Sequence, residues 1–150
     1  MTTPRDSFEL GVKAFIRDTY GQVLLLHVPQ EKTSHPGGYW DMPGGKVEEN
    51  ENMVVALRRE VKTKTKIIEL FNIGSFMMVF PNVYFRYDDV DAGLIMAVHS
   101  CDVPAHVGYE INDEYDDSQW CSLDEAAELL RVKYPKEFVK KVLDLKNSQE

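Results

Sequence analysis

The fold is decided between Trp40 and Ile67, in Trp40-Asp41-Met42-Pro43-Gly44-Gly45-Lys46-Val47-Glu48-Glu49-Asn50-Glu51 and its continuation through Arg59-Glu60-Val61 to Thr63-Lys64-Thr65-Lys66-Ile67. The first part holds a proline and paired glycines, which break regular structure. From Glu51 to about Lys64 the period changes. Met53, Leu57 and Val61 fall four apart with Val54 beside them, while Arg58, Arg59 and Glu60 supply polar positions. That spacing predicts an amphipathic helix, capped by Asn50. Positions 60, 63 and 64 are then i, i+3 and i+4, so their side chains share one helix face.

Upstream, Phe8, Leu10, Val12, Ala14 and Ile16 alternate with mostly polar neighbours, the period of a half-buried strand. Asp18–Gly21 supplies a turn and Val23–Val28 the second strand of a hairpin. Pro29–Gly38 reads as an exposed loop, and Trp40–Pro43 as a short extended segment ending at the glycine pair. Downstream, Ile67–Phe80, Val83–Tyr87 and Gly93–Cys101 read as three strands. Asp102–Asp117 follows as an acidic loop and Ser118–Cys121 as a short strand. Ser122 and Glu125 fit a capping box opening a helix to about Leu130. Pro135 suits the first turn of a last helix running to about Leu145. Strands and helices mix without regular alternation or internal repeat. The expectation is one α+β domain over residues 1–150, an α/β/α sandwich around a mixed β-sheet.

The chain of 150 residues carries 17 Lys+Arg against 25 Asp+Glu, a net charge of −8, with 43% hydrophobic residues. Such a composition can bury a core and argues against a general nucleic-acid binder, which needs a basic surface. Cys101 and Cys121 are too few for a disulfide framework and fit a reducing cytoplasm. No apolar run approaches the roughly 20 residues that span a bilayer. Met1–Asp6 lacks a signal-peptide pattern.

The opening stretch resembles the Nudix hydrolase signature: Gly, five residues, Glu, seven residues, Arg-Glu, an aliphatic residue, one residue, Glu-Glu, one residue, Gly and an aliphatic residue. Gly45, Glu51, Arg59, Glu60, Val61 and Ile67 match at the right spacing. The resemblance implies a Nudix-like sandwich and cleavage of the pyrophosphate bond in a nucleoside diphosphate linked to another group, using Mg²⁺ or Mn²⁺. It implies that Glu60 is the retained helix metal ligand and that the Gly44 or Gly45 carbonyl offers a backbone ligand. Glu51 and Arg59 would support the site, Arg59 orienting carboxylates through a forked ion pair. A loop glutamate, Glu114 first and Glu110 next, would act as metal ligand or general base.

Where the family has Glu-Glu-x-Gly, this chain has Thr63-Lys64-Thr65-Lys66. Exchanging two acids for Thr and Lys changes the local charge by about three units, worth several kcal/mol at ~4 Å even with an effective dielectric of ~20. Lys66 stands in the glycine position, which predicts a different helix exit, running longer. Lys62, Lys64 and Lys66 read equally as a solvated face. Glu110–Asp117 reads equally as a solvated acidic loop. Phe80, Tyr84 and Tyr87 either stack on a nucleobase or pack in the sheet; Trp40 and Trp120 read as core rather than as base-stacking platforms.

Three functions stay open: a hydrolase with an altered metal site, a ligand-binding or regulatory domain in which Lys64 contacts phosphate directly, and a structural homodimer module. Each of the first two takes a nucleotide-like small molecule. Gly44-Gly45-Lys46 is no phosphate-binding P-loop, since Trp40 and Val47 occupy its required Gly and Ser/Thr positions. His27, His35, His99, His106 and the two cysteines lack zinc-ligand spacing.

Overall fold

Strand β1 (Phe8–Arg17) runs through the middle of the sheet. The computed structural model describes residues 8–33, 35–81, 85–87 and 90–147; side chains at 85–87 and 90–93 stand outside that description. Strand β7 (Val90–Asp102) lies parallel to β1, from Phe8 opposite Gly93 to Arg17 opposite Asp102. Strand β5 (Phe71–Val79) pairs antiparallel with the far side of β7, and β6 (Phe85–Tyr87) folds back on β7.

On its other edge β1 starts the expected hairpin. The Asp18 carboxylate accepts from the N–H groups of Tyr20 and Gln22, and Gly21 takes φ 81°. Strand β2 (Val23–Val28) pairs with β1 at Arg17 and Val23, then leaves to lie between β3 (Tyr39–Asp41) and β8 (Asp117–Cys121). The hairpin is therefore splayed. Strand β4 (Gly44–Lys46), which the sequence reading lacked, takes the vacated edge, with Gly11 opposite Lys46 and Lys13 opposite Gly44. Glycine permits this approach: a Cβ on Gly44 would lie 2.0 Å from the Val12 carbonyl oxygen.

Successive side chains of a strand face opposite ways, and here both faces are covered. Val12, Ala14, Ile16, Leu24 and Leu26 meet Ala56, Leu57 and Val61 of helix α1 (Met53–Thr65). Phe15, Val23 and Leu25 meet Ala126, Ala127 and Leu130 of α2 (Leu123–Leu130) and Phe138, Val139 and Val142 of α3 (Lys136–Asp144). This is the expected α/β/α sandwich around a mixed sheet. The half-buried reading of β1 is corrected, because Val12 to Ile16 are all buried, Lys13 included. Among the described residues no helix is long and apolar enough to cross a membrane.

Three details of α1 also differ from the sequence reading. Its cap is Asn52, whose side chain accepts from Val55 N–H at 2.9 Å; Asn50, two residues earlier, instead takes a left-handed φ of 64°. Met53 and Val54 are exposed, and the buried face runs through Ala56, Leu57, Glu60, Val61 and Thr65, so an acid lies on the inward side. The helix stops at Thr65 rather than running on. Lys66 itself adopts the left-handed conformation (φ 64°, ψ 7°) and donates its N–H to Lys62 O at 2.8 Å. The family-type exit is kept with a lysine in the glycine position. Capping of α2 is as expected, Ser122 and Glu125 satisfying each other. Pro135 caps α3 from just outside it.

Candidate functional site

Glu60 leaves α1 toward β4 and ends against the glycine bend. A Cβ on Gly45 would lie 2.0 Å from Glu60 Oε1, so the bare backbone at 45 makes room for that carboxylate. Arg59 holds it there. Its Nη1 donates to Glu60 Oε2 at 3.0 Å, while Nε and Nη2 fork onto the two oxygens of Glu51 at 2.7 and 2.9 Å. Nη2 also donates to Lys46 O at 2.9 Å, tying the end of β4 to the helix. The hydrogen bonds from Arg59, then that from the Glu48–Glu51 loop backbone, bring the Glu51 carboxyl down to about 2. A guanidinium is suited to such a planar fork. The expected trio of Glu51, Arg59 and Glu60 is thus one hydrogen-bonded unit under Gly45.

The acidic loop is docked rather than free. Glu110 N–H donates to Thr65 O and Asn112 N–H to Lys64 O, at 2.9 and 3.0 Å, covering carbonyls that the end of α1 would leave unpaired. Further along, Asp116 N–H donates to His27 O, and the Asp116 carboxylate meets His27 Nδ1 at 2.7 Å. This strap delivers Glu114 to Lys64, and the two form an ion pair. Asn112 steadies Glu114 from both ends, through Nδ2 to Oε2 at 3.0 Å and by accepting the Glu114 N–H at 3.1 Å. Lys64 Nζ also stands 4.0 Å from Glu60 Oε1. Burial raises the Glu114 pKa, and the bonds from Lys64 and Asn112 outweigh it, so the carboxyl ends below its ordinary value.

Beside this pair opens a cavity of about 500 Å³. Among the described residues five lysines line it: Lys13, Lys32, Lys46, Lys64 and Lys133. Among the described residues they face three carboxylates, of Glu9, Asp41 and Glu114, so the described wall is cationic in a chain whose net charge is −8. Its floor is a buried network around Asp41. Lys13 and Lys133 donate to Asp41 Oδ2 at 2.9 and 2.6 Å, and Tyr134 Oη and Met42 N–H donate to Oδ1 at 2.6 and 2.7 Å. Burial alone would raise the Asp41 pKa; the two ammonium groups overcome it and hold the carboxyl well below the usual range. Burial lowers the Lys13 pKa. The Lys133 ammonium also lies 5.1 Å from the centre of the Tyr39 ring.

Sequence reasoning passed over this network. The available signals were Lys13 in the otherwise apolar run Gly11–Ile16 and Asp41 between Trp40 and Met42. Of the residues it did name, Glu114 and Lys64 meet at the cavity beside Gly45, with Glu60 behind them. Glu110 is not brought there. It is exposed and pairs with Lys66 at 2.7 Å. Phe80 is 65% exposed at the end of β5 and does not line the cavity. Tyr84 and the Tyr87 side chain lie outside the described residues.

A divalent cation fits these side chains poorly. Thr63 is exposed and lines a separate groove with Arg58 and Lys62. Glu60 Oε2 accepts from Arg59, and the Lys64 ammonium stands where a cation bound by Oε1 would meet like charge. Among the described residues no three His, Cys, Asp or Glu side chains gather as a metal group. Hard cations need several free oxygen ligands.

The NUDIX domain family model matches residues 7–142. The chain is 29% identical over 117 residues to the CTP pyrophosphohydrolase of Escherichia coli (strain K12), covering 78% of each chain. It is 40% identical over 52 residues to an 8-oxo-dGTP diphosphatase of Proteus vulgaris, covering 35% of this chain and 45% of that one. The crystal structure of a MutT protein from Methanosarcina mazei Go1 superposes with a TM-score of 0.71 at 22% identity, covering 99% of each chain.

Proposed function

The chain belongs to the NUDIX domain family, and from that premise we propose that it hydrolyses the pyrophosphate bond of a nucleoside diphosphate linked to another group, with slow turnover. The observation that carries this is the clamp of Glu51, Arg59 and Glu60 under Gly45, beside a cavity walled by lysines. A cationic cavity of about 500 Å³ suits a nucleotide with charged phosphates. The pyrophosphohydrolase and diphosphatase names of the two relatives support the reaction class.

In this reading Lys64 and Lys46 neutralise phosphate oxygens. Glu114, once phosphate has taken its place on Lys64, is the loop carboxylate that takes a proton from the attacking water, and Glu60 with Arg59 fixes the helix turn on which Lys64 stands. Nudix hydrolases generally use divalent metals; the exchange at Thr63 and Lys64 makes Mg²⁺ or Mn²⁺ a weak activator here. Two free, buried cysteines favour a cytoplasmic setting, and a homodimer is the commonest symmetric assembly.

The test is release of product from a panel of nucleoside diphosphate derivatives, with and without Mg²⁺ or Mn²⁺. Release that Glu60→Gln abolishes supports the proposal. Binding without release from any member supports the second reading, a nucleotide-binding domain, which the poor fit to metal favours.

A further inference from the structure

We propose that the cavity binds a pyrophosphate-type anion directly on ammonium groups, Lys64 foremost, without a divalent ion, and that Glu114 is a tethered counter-anion which this ligand displaces. The inference rests on reading the cavity as a phosphate site and names how that site recognises its ligand.

The argument starts from charge. Of the three carboxylates among the described lining residues, two are committed within the wall: Asp41 sits between Lys13 and Lys133, and Glu9 meets Lys46 at 3.3 Å. Glu114 differs from them. Its side chain is 47% exposed and hangs from a loop, whereas that of its partner Lys64 is only 12% exposed. The lysine is the fixed half of the pair and the glutamate the half that can leave. Once Glu114 swings away, the Lys64 ammonium keeps Glu60 Oε1 only at 4.0 Å and has lost its hydrogen-bonded anion, so it favours another. A pyrophosphate group brings more charge and more acceptor oxygens than a carboxylate, and Lys46 lines the same cavity.

The same geometry disfavours a metal at this point. The Lys64 ammonium stands 4.0 Å from Glu60 Oε1 and bonds to Glu114, so it occupies the ground between the two acids that the resemblance assigned to a cation. A lysine there does with one fixed charge part of what a bound ion would do, and it cannot be removed by a chelator. The Asn112 bonds that hold Glu114 at 3.0 and 3.1 Å define its resting place over Lys64. Glu114 then competes with the ligand at the effective concentration set by its short tether.

Calorimetric titration of the full chain with inorganic pyrophosphate in excess EDTA tests this. Saturable binding is expected. Glu114→Gln should tighten it about threefold to tenfold by removing the competitor. Lys64→Gln should weaken it about tenfold or more, and Lys64→Arg, which keeps the charge, should retain most of it. Circular dichroism and melting of each variant check that the fold is kept. The proposal is overturned if neither the wild type nor Glu114→Gln binds in EDTA, if Mg²⁺ is required for binding, or if folded Lys64→Gln binds as the wild type does. Metal-dependent turnover without binding in EDTA would sink this inference while leaving the hydrolase reading intact. Binding in EDTA with no turnover of any substrate would do the reverse.

Discussion

Replacing Asp41 by Asn probes the electrostatics of the cavity floor. Asp41 is 2% exposed and is the shared anion of two ammonium groups at 2.9 and 2.6 Å. An amide keeps an acceptor for Tyr134 Oη and Met42 N–H but leaves Lys13 and Lys133 facing each other with no compensating charge. Breaking a buried ion pair from one side costs about 3–5 kcal/mol, a large part of the roughly 5–15 kcal/mol available to a domain. With an m-value of roughly 2 kcal/mol/M, the urea midpoint should fall by about 1.5–2.5 M. Adding Lys133→Met should restore part of the loss, because one of the stranded charges goes with it; the double-mutant cycle should show coupling of about 1–3 kcal/mol. Acid titration gives a second reading. The folded Asp41 pKa lies below its ordinary value of 3.8, so the native state holds fewer protons there than the unfolded chain. The stability contributed by Asp41 is therefore present above that value and is lost as pH falls toward the folded pKa. Asp41→Asn should lack this part of the acid dependence. A midpoint shift under about 0.5 M, with no coupling to Lys133, would mean that water screens the network and that the buried-charge argument is wrong.

Four further outcomes follow from the glycine bend, the clamp and the helix end. Gly45→Ala pushes a methyl to 2.0 Å from Glu60 Oε1, so the carboxylate must leave its 3.0 Å bond to Arg59; thermal melts should show a loss of about 1–3 kcal/mol, with turnover down at least tenfold. Gly44→Ala meets the backbone oxygen of Val12 at 2.0 Å, which no side-chain rotation relieves, and should destabilise more than Gly45→Ala. Arg59→Lys cannot reproduce the fork onto Glu51 together with the bonds to Glu60 and Lys46 O. Turnover should fall about tenfold to a hundredfold, and the Glu51 carboxyl, followed by carbon-detected NMR titration, should rise from about 2 toward its ordinary 4.5. Lys66→Gly relieves the left-handed backbone at φ 64° at the expense of an exposed pair with Glu110; chemical denaturation should show a net gain of up to about 1 kcal/mol.

Much of this protein is legible in its amino-acid sequence, because the informative features are local. The glycine pair, the change to helical period and the spacing of Glu51, Arg59 and Glu60 place three side chains on a loop and one helix, whatever surrounds them. The capping box at Ser122 and the turn at Asp18 are equally short-range, and both appear as read. The misreadings also have a local cause. Asn50 and Asn52 are equally good caps by composition, and the choice between them fell to backbone conformation: Asn50 lies in the left-handed region and Asn52 is extended. A lysine in place of the exit glycine predicts a longer helix. The chain instead accepts a strained lysine, and the loop N–H groups at 110 and 112 take the carbonyls of Thr65 and Lys64.

Contacts across long stretches of chain lay beyond any pattern in the sequence. Lys133 reaches Asp41 over 92 residues and Glu114 reaches Lys64 over 50. Nothing in the neighbourhood of any of these residues says which partner it meets. Periodicity assigns a side chain to a face, and its partner depends on which strands become neighbours: here, on β2 parting from β1 and letting β4 close in. Local covalent order therefore set the helix, the bend and the family resemblance. The sign of the cavity's charge, and the lysine's place between the two acids, came from packing.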